Sequence, residues 1–170
     1  MEYRGTGASA REFARHGQLE DWIHAYLTTD GRNKPFSDGL KLLPRHYIGP
    51  VSMPLSLFPR ICGPEEHMKW RMDEAGFEAR VTGIMQAMEN GADLPPMIVH
   101  YVVENGEAAF ELTDGNHRHE ACVRLGLERF DVVVWITEAT EAERFLRDFG
   151  ELANNAPQAE FTVETKCPER

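Results

Sequence analysis

The run Asp131-Val132-Val133-Val134-Trp135-Ile136 is apolar at nearly every position. Successive strand residues point to opposite faces. A strand apolar on both faces belongs in the middle of a sheet, so this run predicts a central strand. Local signals supply its neighbours. Met97 to Val103 is a β-rich run, Asn105-Gly106 is a strong hairpin signal, and Ala108 to Leu112 reads as the return strand. A further short strand is expected near 47–53, with Pro54 and Pro59 bracketing the turn after it.

Helical spacing accounts for much of the rest. Ser9 and Glu12 stand at capping-box spacing, and Leu19, Trp22, Ile23, Tyr26 and Leu27 recur behind them. This predicts one helix over 9–28, closed at Gly31, with Trp22 and Tyr26 in the core and His24 exposed. Residues 32–38 contain Pro35 and read as a loop. Gly63-Pro64-Glu65-Glu66 reads as a helix start, because proline suits the first turn and carboxylates suit the positive end of the dipole. Gly76 is expected to divide that helix, whose second part carries Phe77, Val81, Ile84, Met85 and Met88 on one face. Trp70 and Met72 are assigned to the same core. A short helix is expected after Asn116, with Ala121, Cys122 and Leu125 inward and Gly126 as its stop. Residues 138–152 read as an acidic amphipathic helix with Ala142, Phe145, Leu146 and Phe149 inward.

The expected fold class is α+β, a compact mixed α/β domain with a small mixed sheet, an added N-terminal helical segment and a C-terminal helix. Its divisions are a helical extension over 1–46 packed on the core, a core domain over 47–153 and a polar tail over 154–170. A length of 170 residues fits one domain that needs no staple. Cys62, Cys122 and Cys167 are too scattered for a disulfide framework or a CxxC zinc site, so reduced thiols and a cytoplasmic setting are expected. The opening residues are polar and charged, which predicts no export signal, and no apolar run is long enough to cross a membrane. The net charge of −10 argues against a broad binder of duplex DNA.

The densest chemistry is Asp114-Gly115-Asn116-His117-Arg118-His119-Glu120, between a predicted strand and a predicted helix. Such a turn presents free backbone N–H groups and the positive end of a helix dipole. Gly115 lets backbone approach a ligand closely. Arg118 has the fork for a phosphate, His117 can donate there or handle a proton, and Asp114 can hold Mg²⁺ or accept a proton. The competing reading is a polar helix cap, with Asp114 or Asn116 capping and Arg118 and Glu120 solvated. A transition-metal site is a third reading, in which His117 and His119 recruit a distant ligand such as His100. Arg60, Cys62, Glu65 and Glu66 read either as a pocket wall facing the Asp114 turn or as a charged helix start.

The order of these pieces resembles the ParB/sulfiredoxin-like superfamily. The matching parts are Val51 with Met53-Pro54-Leu55, Leu94-Pro95-Pro96-Met97-Ile98-Val99, the hairpin ending in Leu112, Asp114-Gly115-Asn116-His117-Arg118 with Glu120-Ala121, and Leu125-Gly126-Leu127 before Val132-Val133-Val134. The resemblance covers about half the chain and implies a nucleotide-phosphate box at Gly115, Asn116, His117 and Arg118. Sulfiredoxins carry a catalytic cysteine where this chain has Asn116, so sulfinic-acid reduction is not expected. Partition proteins of the superfamily add a helix-turn-helix and a dimerisation domain, for which residues 137–170 leave no room. The box Asp-Gly-x-His-Arg is similar to that of the free serine kinases, which implies ATP, ADP or CTP with Mg²⁺ at Asp114. An acidic base from the loop after the first strand is also implied, for which Glu65 and Glu66 are the candidates. The expected activity is phosphoryl transfer to a small hydroxyl-bearing metabolite, with Asp114, His117, Glu65 and Glu66 as the catalytic set. The alternative is a nucleotide-binding regulatory module without turnover. A DNA-acting nuclease or partition factor ranks behind both.

Overall fold

Two interior strands organise the molecule. The computed structural model describes residues 1–154. Its main sheet contains β1 (His46–Pro54), β4 (Met97–Glu104), β5 (Glu107–Asp114) and β6 (Arg129–Ile136), in the order β1-β6-β4-β5. β6 is antiparallel to β1 and parallel to β4, and β5 is antiparallel to β4 on the edge. The central position expected for 131–136 is therefore the observed one. Asn105 and Gly106 both have positive φ, 52° and 78°, as a two-residue hairpin turn of the expected kind requires.

The alternation of β6 divides its side chains between two cores. Val132, Val134 and Ile136 pack with Met53, Val99, Tyr101, Leu112 and Phe145 on one face. That face is covered by α6 (Ala139–Asn154), whose Ala142 and Phe145 are buried as expected. Val133 and Ile98 face the other way, into Trp22, Ile23, Leu27 and Leu40. The polar tail expected from 154 lies outside the described residues, apart from Asn154 itself, which ends α6.

The first 46 residues differ from expectation in four respects. The helix expected over 9–28 is two helices, α1 (Gly7–Arg15) and α2 (Leu19–Thr28), because Gly17 turns the chain at φ 69°. Thr6, not Ser9, is the cap: its side chain accepts from the Ser9 amide at 3.1 Å, while Ser9 is buried and its own Oγ accepts from the Arg4 amide. The loop expected over 32–38 contains α3 (Lys34–Leu40), capped by Asn33, with Pro35 in the first turn where its missing N–H does no harm. α3 also covers His24, whose Nδ1 meets the Ser37 hydroxyl at 2.7 Å, so His24 is not exposed.

The helix expected to open at Gly63-Pro64-Glu65-Glu66 does not begin there. After a single turn of tight helix at Leu55–Leu57, the chain forms two short parallel strands, β2 (Cys62–Gly63) and β3 (Trp70–Arg71). α4 (Glu74–Glu89) starts later, where the Asp73 side chain accepts from the Gly76 amide at 2.8 Å. Gly76 thus sits in the capped first turn and does not divide the helix. Phe77 and Val81 of α4 pack on Ala121 of α5 (Asn116–Arg124). Trp70, assigned to that core, is 60% exposed.

Candidate functional site

β5 ends at Asp114, Gly115 turns the chain at φ 109°, and α5 begins at Asn116. Glycine is required at 115 on two counts. Its φ lies in the left-handed region, and a Cβ there would stand 2.8 Å from Met97 Cγ. The first α5 amide with an intrahelical acceptor is that of His119, bonded to Gly115 O at 2.8 Å. No side chain caps α5, and the amides of Asn116, His117 and Arg118 meet no protein acceptor among the described residues. Three N–H groups at the positive end of a helix dipole form an anion-accepting surface.

Beneath that surface lies an ion pair. Arg118 Nη2 donates to Asp114 Oδ2 at 3.1 Å and to Pro96 O at 3.2 Å, and Arg118 Nη1 donates to the Tyr26 hydroxyl at 3.0 Å. Tyr26 in turn donates to Asp114 Oδ2 at 2.9 Å. The Arg118 and Asp114 side chains are only 12% and 16% exposed. The Arg118 guanidinium is thus turned inward, where its charge balances Asp114, and its Nε is buried without an acceptor. Burial raises the Tyr26 phenol to about 12, so Tyr26 stays a neutral donor. Trp22 stacks on Tyr26 at 5.3 Å and holds the ring from behind. Neither of these aromatic contacts was assigned a site role from sequence.

Asn116 does not cap α5. Its Oδ1 accepts from the amides of Ile61 and Cys62, at 2.8 and 3.1 Å, and so fastens the 60–72 loop to the helix start. Arg60 reinforces the joint, reaching Glu65 at 2.5 Å and Glu120 of α5 at 3.0 Å, with its guanidinium over Phe77 at 4.9 Å. The loop therefore lies against the start of α5, and no helix begins at Gly63–Glu66. Arg60 holds the Glu65 carboxyl below its ordinary range, which weakens it as a base. Glu66 is exposed and has no ion-pair partner among the described residues.

His117 and His119 diverge. The His117 ring packs against Phe77 of α4 at 5.1 Å, and burial, with Arg80 and Arg118 nearby, pushes it down to about 4. It is neutral near pH 7 and brings no positive charge to an anion. His119 Nε2 meets Leu55 O at 3.1 Å, and His100 stacks on Trp135 at 3.8 Å. No three His, Cys, Asp or Glu side chains converge among the described residues. Burial raises the Cys62 thiol, which opposes a nucleophilic role. A separate open cleft of about 380 Å³, lined by Gly7, Arg11, Asp93, Arg129 and Asp131, includes none of the box residues.

No protein-family model matches the chain, and no curated relative matches it. Among solved structures, a crystal structure of sulfiredoxin from Arabidopsis thaliana aligns with 23% identity and a TM-score of 0.39, covering 55% of this chain and 91% of that one.

Proposed function

We propose that the chain binds a nucleoside di- or triphosphate through the start of α5 and transfers a phosphoryl group to a small hydroxyl-bearing acceptor. One observation carries the reading: the amides of Asn116, His117 and Arg118 are free at the end of an edge strand, after a glycine with φ 109°. Phosphate oxygens are the acceptors such amides suit. The Asp114–Arg118 pair supports it by cancelling the carboxylate charge that would otherwise repel the anion. Mg²⁺ supplies charge neutralisation at the phosphates in such reactions. Asp114 is the residue that would hold it, since Oδ2 is taken by Tyr26 and Arg118 while Oδ1 has no partner among the described residues. One carboxylate suits Mg²⁺, which keeps most of its waters. Glu66 is the more available base of the two candidates, because Arg60 engages Glu65. His117 serves through its backbone N–H.

The committed state of Glu65 and the neutral, packed His117 favour one second reading, a nucleotide-binding module without turnover. Calorimetry with ATP, ADP and CTP, with and without Mg²⁺, tests both. Micromolar to millimolar binding is expected. Asp114→Asn should lower any Mg²⁺-dependent turnover by about 10²-fold or more. Binding without product formation from a panel of hydroxyl-bearing metabolites would select the second reading. Absence of nucleotide binding at millimolar concentration would remove both.

A further inference from the structure

The segment Lys69-Trp70-Arg71 places an aromatic ring between two cations in a chain whose net charge is −10. Single exposed apolar residues are ordinary on protein surfaces. Leu42, Leu43, Val123 and Leu127 are such residues, all aliphatic. Trp70 differs in setting. It is 60% exposed, yet its backbone is fixed in β3, where its amide donates to Ile61 O at 3.0 Å and it pairs with Cys62. Lys69 Nζ lies 5.9 Å from the indole centre and is held there by Glu111 at 3.2 Å. Arg71 is exposed and anchored on Pro64 O.

The same ladder is tied to the start of α5. Cys62 pairs with Trp70 and donates its amide to Asn116 Oδ1 at 3.1 Å. Neighbouring strands lie about 4.8 Å apart. The Trp70 backbone is therefore one strand pairing and one hydrogen bond away from Asn116, the residue that opens α5. An aromatic face accepts any base by stacking.

We propose that Trp70 is the base-stacking residue of the nucleotide site, with Lys69 beside its ring. The proposal rests on the phosphate reading of α5 and adds what that reading lacks, a seat for the base. Asn116 then links the two halves of the ligand, since one side-chain oxygen holds the loop that carries Trp70.

The test titrates the full chain with ATP, CTP and inorganic triphosphate, following tryptophan emission and calorimetry. Trp70 is the one tryptophan that is mostly exposed, so the wild-type signal should respond to the nucleotides. Trp70→Ala should weaken ATP and CTP binding by about 5- to 150-fold, the range for loss of one base–aromatic stack. It should leave inorganic triphosphate binding and the thermal midpoint unchanged, and Trp70→Phe should restore most of the nucleotide affinity. Unaltered nucleotide binding in Trp70→Ala overturns the proposal. So does an equal loss for nucleotides and triphosphate, which would assign Trp70 to loop structure. A wild type that binds triphosphate as tightly as ATP retains the phosphate site and removes the base seat. A wild type that binds none of the three probes removes both.

Discussion

Arg118 serves the fold before it can serve a ligand. Its guanidinium is shared among Asp114, Tyr26 and Pro96, and two of those acceptors lie far away in sequence. Truncating it would leave the Asp114 carboxylate, 16% exposed, without its counter-charge. Breaking a buried pair on one side costs about 3–5 kcal/mol. Arg118→Ala should therefore lose stability of that order in urea denaturation. Tyr26→Phe, which removes one hydroxyl and keeps the Trp22 stack, should lose about 1–3 kcal/mol. Equal, negligible losses for both would show that the three groups do not act as a unit. The box was legible in sequence because Asp114, Gly115 and Arg118 are local to one turn. Tyr26 was not, because nothing in a helix pattern says which residue 88 positions away a phenol will reach. Trp70 was misassigned to the core for the reverse reason: apolar spacing cannot separate a packed residue from one held outward by a short ladder.

The elements that sequence located well are those whose termini are set by their own backbone. The Asn105-Gly106 hairpin and the Gly126 stop of α5 are examples, with Gly126 at φ 76°. The 60–72 loop failed because its conformation is set from outside. Asn116 takes two of its amides, and Arg60 takes the Glu65 carboxylate that was read as a helix-start charge. The β5–α5 junction combines both kinds of control. Gly115 has a φ that L side chains avoid, and Met97 stands where a Cβ would project. Gly115→Ala should lose about 1–2 kcal/mol from conformation and a further 1–3 kcal/mol from crowding. Hydrogen exchange should show the added opening at the start of α5 and the end of β5 ahead of α6. A variant as stable as wild type would mean that the turn relaxes freely, and that its geometry is not what fixes the amides.

At the scale of the whole molecule, the division into an extension over 1–46 and a core over 47–153 marks a change of pattern in sequence and not a seam in packing. α1, α2 and α3 cover the sheet face that carries Ile98 and Val133, and Trp22, Ile23, Leu27 and Leu40 are at most 2% exposed within that layer. Fully burying a side chain of this kind stabilises by about 1.5–3 kcal/mol, so these six residues together represent on the order of 10 kcal/mol. That is comparable to the whole stability of an ordinary domain, roughly 5–15 kcal/mol. The same layer carries Tyr26, which closes the Asp114–Arg118 pair, so the extension supports both the sheet and the candidate site. A chain beginning at His46 should therefore expose one sheet face and fail to hold native tertiary structure. Its near-UV circular dichroism should be lost and it should bind an apolar dye, while the full chain unfolds in one transition that is the same by tryptophan emission and far-UV signal. A fragment from His46 that keeps a native near-UV spectrum and cooperative unfolding would show the opposite, that the sheet stands alone and the three helices are an appended unit.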